Sequence, residues 1–381
     1  MKKVIESLKS EVQEIFHYLH ENPEISWEEF KTTDYLKKYL EKKGARITTF
    51  EDCTGVIGEI GEGNPIIAVR ADIDALQQEV DGVLRANHSC GHDAHMTIVL
   101  GVFLTLLKLD NYPNGTIRFI FQPAEEKGTG ALKMVEKGVV DDINYLFGVH
   151  LRPEQDTKNG EAAPSIIHSS SRFIEGKISG NDAHGARPHL NSNAIEVAAS
   201  IVYSLATIHM DPLLPHSIKM TKLHAGGNNP NIIPGNAEFS LDLRVQSNEG
   251  MELLTDKVIK VIEDTAKIYQ VDISLNIVGN LPAAEVNEEA EEIMADAIKD
   301  TLGHDKLISP IITPGGEDFH YYTLKRPHLK ATVMGLGCGL KPGLHHPHMT
   351  FDTEAIYSGI EILTRSVLKV LNLKTDKKIE I

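Results

Sequence analysis

A chain of 381 residues, 41% hydrophobic and 24% charged, is long enough for two domains with sizeable cores and has the composition of a globular protein. Its formal net charge of −16 leaves no basic stripe to neutralise phosphates, which argues against a nucleic-acid partner, and no apolar run approaches the roughly 20 residues needed to cross a bilayer. Three widely spaced cysteines, Cys53, Cys90 and Cys338, suit a reducing, cytoplasmic location rather than a disulfide framework.

Val4, Ile5, Leu8, Val12, Ile15, Phe16 and Leu19 fall at helical spacing, so 4–20 reads as an amphipathic helix rather than the apolar stretch of a signal segment. Asn22-Pro23 ends it, and a second helix over 27–43 stops at Gly44. The apolar runs 66–69, 117–121 and 145–149 read as buried strands, with helical patterns at 96–107 and 130–137 between them. That alternation predicts an α/β fold: a mixed, largely parallel sheet with helices on both faces. From 172 the order changes to strand 173–179, helix 194–208, strands 217–223 and 237–245, helix 251–268 and strand 271–277. This is the β-α-β-β-α-β order of a ferredoxin-like unit. Within it Phe239, Leu241, Leu243 and Val245 alternate with Glu238, Ser240, Asp242 and Arg244, one face for the core and one for water. After about 286 the first pattern returns with a helix at 287–302. The expectation is a catalytic domain of 1–171 and 284–381, with 172–283 inserted as a lid or dimerisation domain.

Chemistry concentrates in a few segments. Asn87-His88-Ser89-Cys90-Gly91-His92-Asp93-Ala94-His95 packs a thiol, three imidazoles and a carboxylate just before an apolar helix. Cys90 and His92 flank one glycine, which lets the backbone bend until both side chains face one ion. A metal would hold Cys90 as thiolate; a Cys90 nucleophile paired with His92 or His88 and a purely structural pair are the competing readings. His88 and His95 fit supporting roles better than ligation. Arg70-Ala71-Asp72, Glu125-Glu126 and His150 each follow the carboxyl end of a predicted strand, where such sheets bind ligands. One glutamate of an adjacent pair can hold a metal while the other moves a proton. Near the C-terminus, Gly343-Leu344-His345-His346-Pro347-His348 adds three imidazoles on a loop stiffened by Pro347.

These segments resemble the metal-dependent aminoacylase/carboxypeptidase family, in particular its hippurate-hydrolase and auxin-conjugate-hydrolase branch. The likeness runs through His20-Glu21-Asn22-Pro23-Glu24, Arg70-Ala71-Asp72-Ile73-Asp74-Ala75-Leu76, His88 to Asp93, Gln122-Pro123-Ala124-Glu125-Glu126 and Gly148-Val149-His150. It continues through Ala183-His184, Asn231-Ile232-Ile233-Pro234, Gly315-Gly316-Glu317-Asp318-Phe319 and His345-His346-Pro347. The resemblance implies two divalent ions (Zn, Mn, Co or Ni) held by Cys90, His92, Glu126, His150 and His345, with Cys90 bridging. It further implies Glu125 as general base, Asp72 as the carboxylate orienting a metal ligand, and His184 as the inserted-domain donor that reaches the oxyanion. Asn231 and Arg244 would recognise the substrate's carboxylate, which the planar fork of an arginine matches well.

Two departures from the family pattern stand out. Gln77 follows Asp-Ala-Leu where relatives usually carry proline, and Gly316 stands where they commonly carry a side chain such as serine. The implied reaction is hydrolysis of a small amide, releasing an amino acid from an N-acyl amino acid. A dipeptidase or C-terminal exopeptidase with the same centre is the alternative, and a catalytically silent metal-binding protein the reading of another class. A homodimer through the inserted domain is a further expectation.

Overall fold

The protein is described by a computed structural model covering residues 1–109 and 115–371. The chain divides into two compact units: Met1–Ile167 with Glu285–Ile312 and Asp318–Ile381, and His168–Ala284 with Thr313–Glu317. The second unit reaches past 172–283 at both ends and takes in a short distant segment. Its first strand begins at Ser170, opposite Val245, where three consecutive serines conceal any strand pattern.

The first unit is built on a seven-stranded sheet. Four adjacent parallel strands lie inside it, in the order Gly115–Gln122, Ile66–Asp72, Tyr145–Pro153 and Lys330–Leu340. Val56–Glu62 and Arg46–Thr49 extend one side antiparallel, and Ala162–Ala163 closes the other. Alternation along the parallel strands sends apolar side chains both ways. Val69, Phe119, Phe147 and Met334 join one core with helices Lys9–Glu21, Phe30–Lys42, His92–Lys108, Glu288–Leu302 and Ala355–Val370. Ala68, Ile120, Leu146 and Val333 are buried on the opposite side, where helices Gly130–Glu136 and His320–Lys325 pack together. The expected fold class is the one observed.

The helix expected over 4–20 is two helices, Lys2–Glu6 and Lys9–Glu21. Ser7 interrupts it by turning its hydroxyl back to the Val4 carbonyl, 2.7 Å away, a local bond that competes with helix continuation. The helix expected over 96–107 begins four residues sooner, at His92, and every residue from His92 to Leu106 is buried. Sequence patterning passed over the hairpin Leu76–Val80 and Val83–Asn87, whose first strand carries Gln77, Gln78 and Glu79 and has almost no apolar signal.

In the second unit an antiparallel four-stranded sheet runs His216–Ala225, Ala237–Val245, Ser170–Ser179, Asp272–Leu281, the spatial order of a ferredoxin-like fold. Phe239, Leu241, Leu243 and Val245 form its core with Val197, Ile201, Leu254, Val258 and Ile262 from the two helices, so the predicted face is the buried one.

Candidate metal centre

The ladder between Ile66–Asp72 and Tyr145–Pro153 ends at Arg70 opposite Gly148, while the latter strand continues beside Lys330–Leu340 as far as Pro153. The strand expected to stop at His150 therefore runs on, and His150 stands where two parallel neighbours part. Such a divergence at the carboxyl ends of strands opens the crevice in which α/β sheets bind ligands. Into it points the start of helix His92–Lys108, capped by Gly91 at φ +84. A side chain there would be strained, and its Cβ would lie 2.9 Å from Leu151 Cδ1. Glycine lets the turn carry Cys90 and His92 to the same place.

Two ligand sets share one sulfur. The donor atoms of Cys90, His92 and His150 lie within 4.8 Å of one another, and so do those of Cys90, Glu126 and His345. Cys90 Sγ is 3.6 Å from His150 Nε2. Glu126 Oε1 is 3.9 Å from His92 Nε2 and 3.5 Å from His345 Nε2. Tetrahedral ligands at bond lengths of about 2.0–2.3 Å stand about 3.3–3.8 Å apart, so this spacing fits a divalent ion. His92 Nε2 and Glu126 Oε1 are sealed from solvent with no hydrogen-bond partner, a penalty that a metal would remove. The tautomers agree: His92 Nδ1 donates to the Asp74 carbonyl at 2.8 Å and His150 Nδ1 to the Leu151 carbonyl at 2.7 Å, which leaves both Nε2 lone pairs for a ligand. All five expected metal ligands are thus brought together.

The electrostatics without an ion are unfavourable in a consistent way. Burial, with the Glu126 charge, pushes the Cys90 thiol up. Burial holds His150 well below the usual imidazole range. His92 is raised well above it, because Asp72, Cys90 and Asp74 outweigh its burial, and Cys90 and Glu126 lift His345 to about 10. A divalent cation reverses this logic by favouring thiolate and neutral imidazole together.

Asp72, expected to orient a metal ligand, accepts from His95 Nδ1 at 2.7 Å and from Arg70 at 2.7 Å, and stays 3.8 Å from His92 Nδ1. The carboxylate beside His92 is Asp74, with Oδ1 3.3 Å from Nδ1. Its Oδ2 accepts from the Ser26 hydroxyl at 2.6 Å and from the Glu126 amide at 3.0 Å. The Asp-x-Asp spacing announces two carboxylates at one strand end, but not which of them meets the imidazole. Asp72 acts one step further back: the Leu151 amide donates to His95 Nε2 at 2.9 Å, so His95 braces the strand beside His150 and is no ligand itself. Arg70 ties Asp72 to Asp318, which also accepts from Gln122 and the Ala131 amide. His20 donates to Asp93 at 2.6 Å, a pair whose members lie far apart in sequence.

Glu125 is buried, with Oε2 4.0 Å from His92 Nε2, beside the ligands rather than among the Cys90 sets. Buried Glu29 sets the approach to it by accepting from the Ala124 amide at 2.8 Å, which fixes the left-handed backbone of Ala124 at φ +51.

His184, Asn231 and Arg244 belong to the second unit. His184 and Asn231 are neighbours at a two-stranded ladder, where His184 pairs with Ile232 and the Asn231 carbonyl accepts from Gly185 at 2.7 Å. His184 is exposed, and its Nδ1 accepts from the Ala186 amide at 3.0 Å, which makes Nε2 the protonated donor. Arg244 lies on strand Ala237–Val245, bonds to Asp242 and the Pro314 carbonyl, and lies over the Phe173 ring. At Gly316 a Cβ would stand 2.7 Å from Leu281 Cδ1 and 3.0 Å from Ser171 Oγ, so this unit leaves no ready space for a side chain there.

The sequence pattern of peptidase family M20/M25/M40 matches residues 68–369, most of the chain and all of the candidate ligands. The chain belongs to that family. As a member of M20/M25/M40 it is 31% identical to the N-acetyl-L-cysteine deacetylase of Bacillus subtilis (strain 168), over 98% of this chain and 92% of that one. It is 29% identical to the IAA-amino acid hydrolase ILR1-like 2 of Arabidopsis thaliana, over 98% and 90%. Its fold matches the Bacillus subtilis YXEP protein, described as a dinuclear metal binding peptidase from the M20 family, with TM-score 0.81, 28% identity and coverage of 97% and 99%. The M20/M25/M40 protein is accordingly a hydrolase, and the family and enzyme class expected from the motifs agree with the comparisons. Among the described residues no helix is long and apolar enough to cross a membrane.

Proposed function

We propose that the protein hydrolyses the amide bond of N-acyl amino acids or similar small amides, releasing a free amino acid and a carboxylic acid. The observation that carries this reading is that Cys90 belongs to both ligand sets, so that Cys90, His92 and His150 would hold one divalent ion and Cys90, Glu126 and His345 a second. Relatives named for deacetylating N-acetyl-L-cysteine and for hydrolysing an amino-acid conjugate support the substrate class. Two divalent ions at such a centre supply a water acidified to near neutrality and a polarised carbonyl.

The protein's own groups do the remaining work. Glu125, adjacent to the ligand Glu126 and buried, accepts the water's proton as hydroxide adds to the carbonyl carbon. It returns that proton to the amine as the C–N bond breaks. His184 offers a protonated Nε2 suited to an oxyanion, and Arg244 with Asn231 suits the carboxylate of the amino-acid half. Three free cysteines, Cys53, Cys90 and Cys338, fit a reducing cytoplasmic setting. The second unit also offers a pairing surface: Ile195, Val202 and Tyr203 are exposed along helix Ala194–Leu205, with Tyr203 82% accessible. A homodimer through that helix is the expected assembly, and sedimentation velocity is expected to show a wild-type dimer and a Tyr203→Glu monomer; a monomeric wild type refutes it.

The test of the reaction is a panel of N-acetyl and N-benzoyl amino acids and unblocked dipeptides with metal-reconstituted protein. Release of amino acid from the blocked substrates, reduced about 10²–10⁴-fold in Glu125→Ala, is the expected result. Faster turnover of the dipeptides replaces the reading with a dipeptidase, and undiminished activity of the variant removes Glu125 as the base.

A further inference from the structure

His345 is unlike the other four candidate ligands. Its side chain is 53% exposed where theirs are buried or nearly so, and it sits on the loop between strand Lys330–Leu340 and helix Ala355–Val370. Its backbone is left-handed at φ +63, a conformation that a residue with a side chain keeps only where its surroundings fix it. Two bonds do so. The His345 amide donates to the Ser89 carbonyl at 2.8 Å, next to Cys90. The His345 carbonyl accepts from Gln78 Nε2 at 2.8 Å.

Gln78 is itself held. Asn87 Nδ2 donates to Gln78 Oε1 and to the Pro347 carbonyl, both at 3.0 Å. Gln78 and Asn87 come from the two strands of the hairpin, with Leu76 opposite Asn87 and Gln78 opposite Arg85, so they are diagonal neighbours. The hairpin therefore grips the loop at His345 and again two residues beyond it, at Pro347.

We propose that Gln78, braced by Asn87, is a positioning residue that sets how tightly the ion at Cys90, Glu126 and His345 is held. The ion at Cys90, His92 and His150 is left to the sheet and the buried helix. The inference rests on the two-ion reading given above. Partners one bond behind a metal ligand typically change metal affinity by about 10–100-fold when removed.

The experiment is Zn²⁺ binding by chelator competition on the full-length protein, with thermal melting to confirm folding. The wild type takes up two ions per chain. Gln78→Ala weakens one binding step about 10–100-fold and leaves the other unchanged. Gln78→Glu, which keeps the size and the acceptor for Asn87 but removes the donor, behaves the same way. In a His345→Ala background, Gln78→Ala adds no further loss. In metal-free Gln78→Ala, hydrogen exchange at the His345 amide is faster than in the wild type. Unchanged binding steps in Gln78→Ala, equal weakening of both, or losses that add in the double variant overturn the proposal while the two-ion reading stands. A wild type that holds fewer than two ions refutes that reading before any substitution is made, and the inference falls with it.

Discussion

Replacing Asp74 with asparagine tests the architecture of the centre most directly. Its carboxylate is fully buried and supports two ligands at once, lying 3.3 Å from His92 Nδ1 and accepting the Glu126 amide at 3.0 Å and the Ser26 hydroxyl at 2.6 Å. Burial alone would raise its pKa, but His92, Ser26 and the Glu126 amide keep the carboxyl below its ordinary range, so it is an anion whose Oδ2 accepts two hydrogen bonds while Oδ1 lies beside His92, whose Nδ1 proton goes to the Asp74 backbone carbonyl. Asparagine retains the shape but only one acceptor oxygen, and its amide nitrogen faces an N–H or O–H donor whichever way it turns. The loss of one hydrogen bond to a charged group costs about 1.5–3 kcal/mol of stability. Loss of support behind His92 weakens metal binding about 10–100-fold, or about 1.4–2.7 kcal/mol. Metal content by mass spectrometry and chelator competition on protein shown to be folded measure this. Asp72→Asn is the control: it removes one of two carboxylates from buried Arg70, whose bonds to Asp318 and Gln122 remain, and is expected to cost about 1.5–3 kcal/mol of stability. If folded Asp74→Asn keeps both ions at wild-type affinity while folded Asp72→Asn loses one, the assignment of Asp74 to His92 is wrong.

Two further outcomes follow from local physics. Gly91→Ala places a Cβ at φ +84 and 2.9 Å from Leu151, so urea unfolding is expected to show a loss of about 1–3 kcal/mol; wild-type stability refutes the need for glycine between the ligands. Burial, helped by Arg70, lowers His320 to about 3 in the folded protein, against about 6.5 when unfolded. The unfolded chain binds the extra proton between those values, so this contribution is full above about pH 6.5 and is lost as pH falls toward 3, with a slope of at most about 1.4 kcal/mol per pH unit. In His320→Gln that part of the slope disappears from stability measured against pH; an unchanged slope refutes the assignment.

Much of the site was legible because its signals are local. Cys90-Gly91-His92 is dense enough to point to metal chemistry, Glu125-Glu126 gains its meaning from following Phe121-Gln122-Pro123 at the mouth of a buried strand, and the strand ending near His150 put a third donor at the same sheet edge. The period-2 pattern of 237–245 named the buried face correctly because one side of that sheet packs on helices. What escaped was carried by polar contacts between distant segments. Gln78 and His345 are 267 positions apart, and His20 and Asp93 are 73 apart; neither pair leaves a periodic trace. The hairpin at 76–87 went unseen for the same reason, since hydrogen bonds to a loop hold it and not an apolar face.

The sequence by itself determined the kinds of donor, their grouping and the α/β frame, because residue type and short-range spacing settle ligand chemistry and secondary structure. Only the tertiary structure decided that Asp74 rather than Asp72 lies nearer His92, and that Gln78 holds the His345 carbonyl. Those choices turn on angstrom-scale distances at which hydrogen bonds and coordination form, and such distances exist only once separate strands have been packed into one sheet.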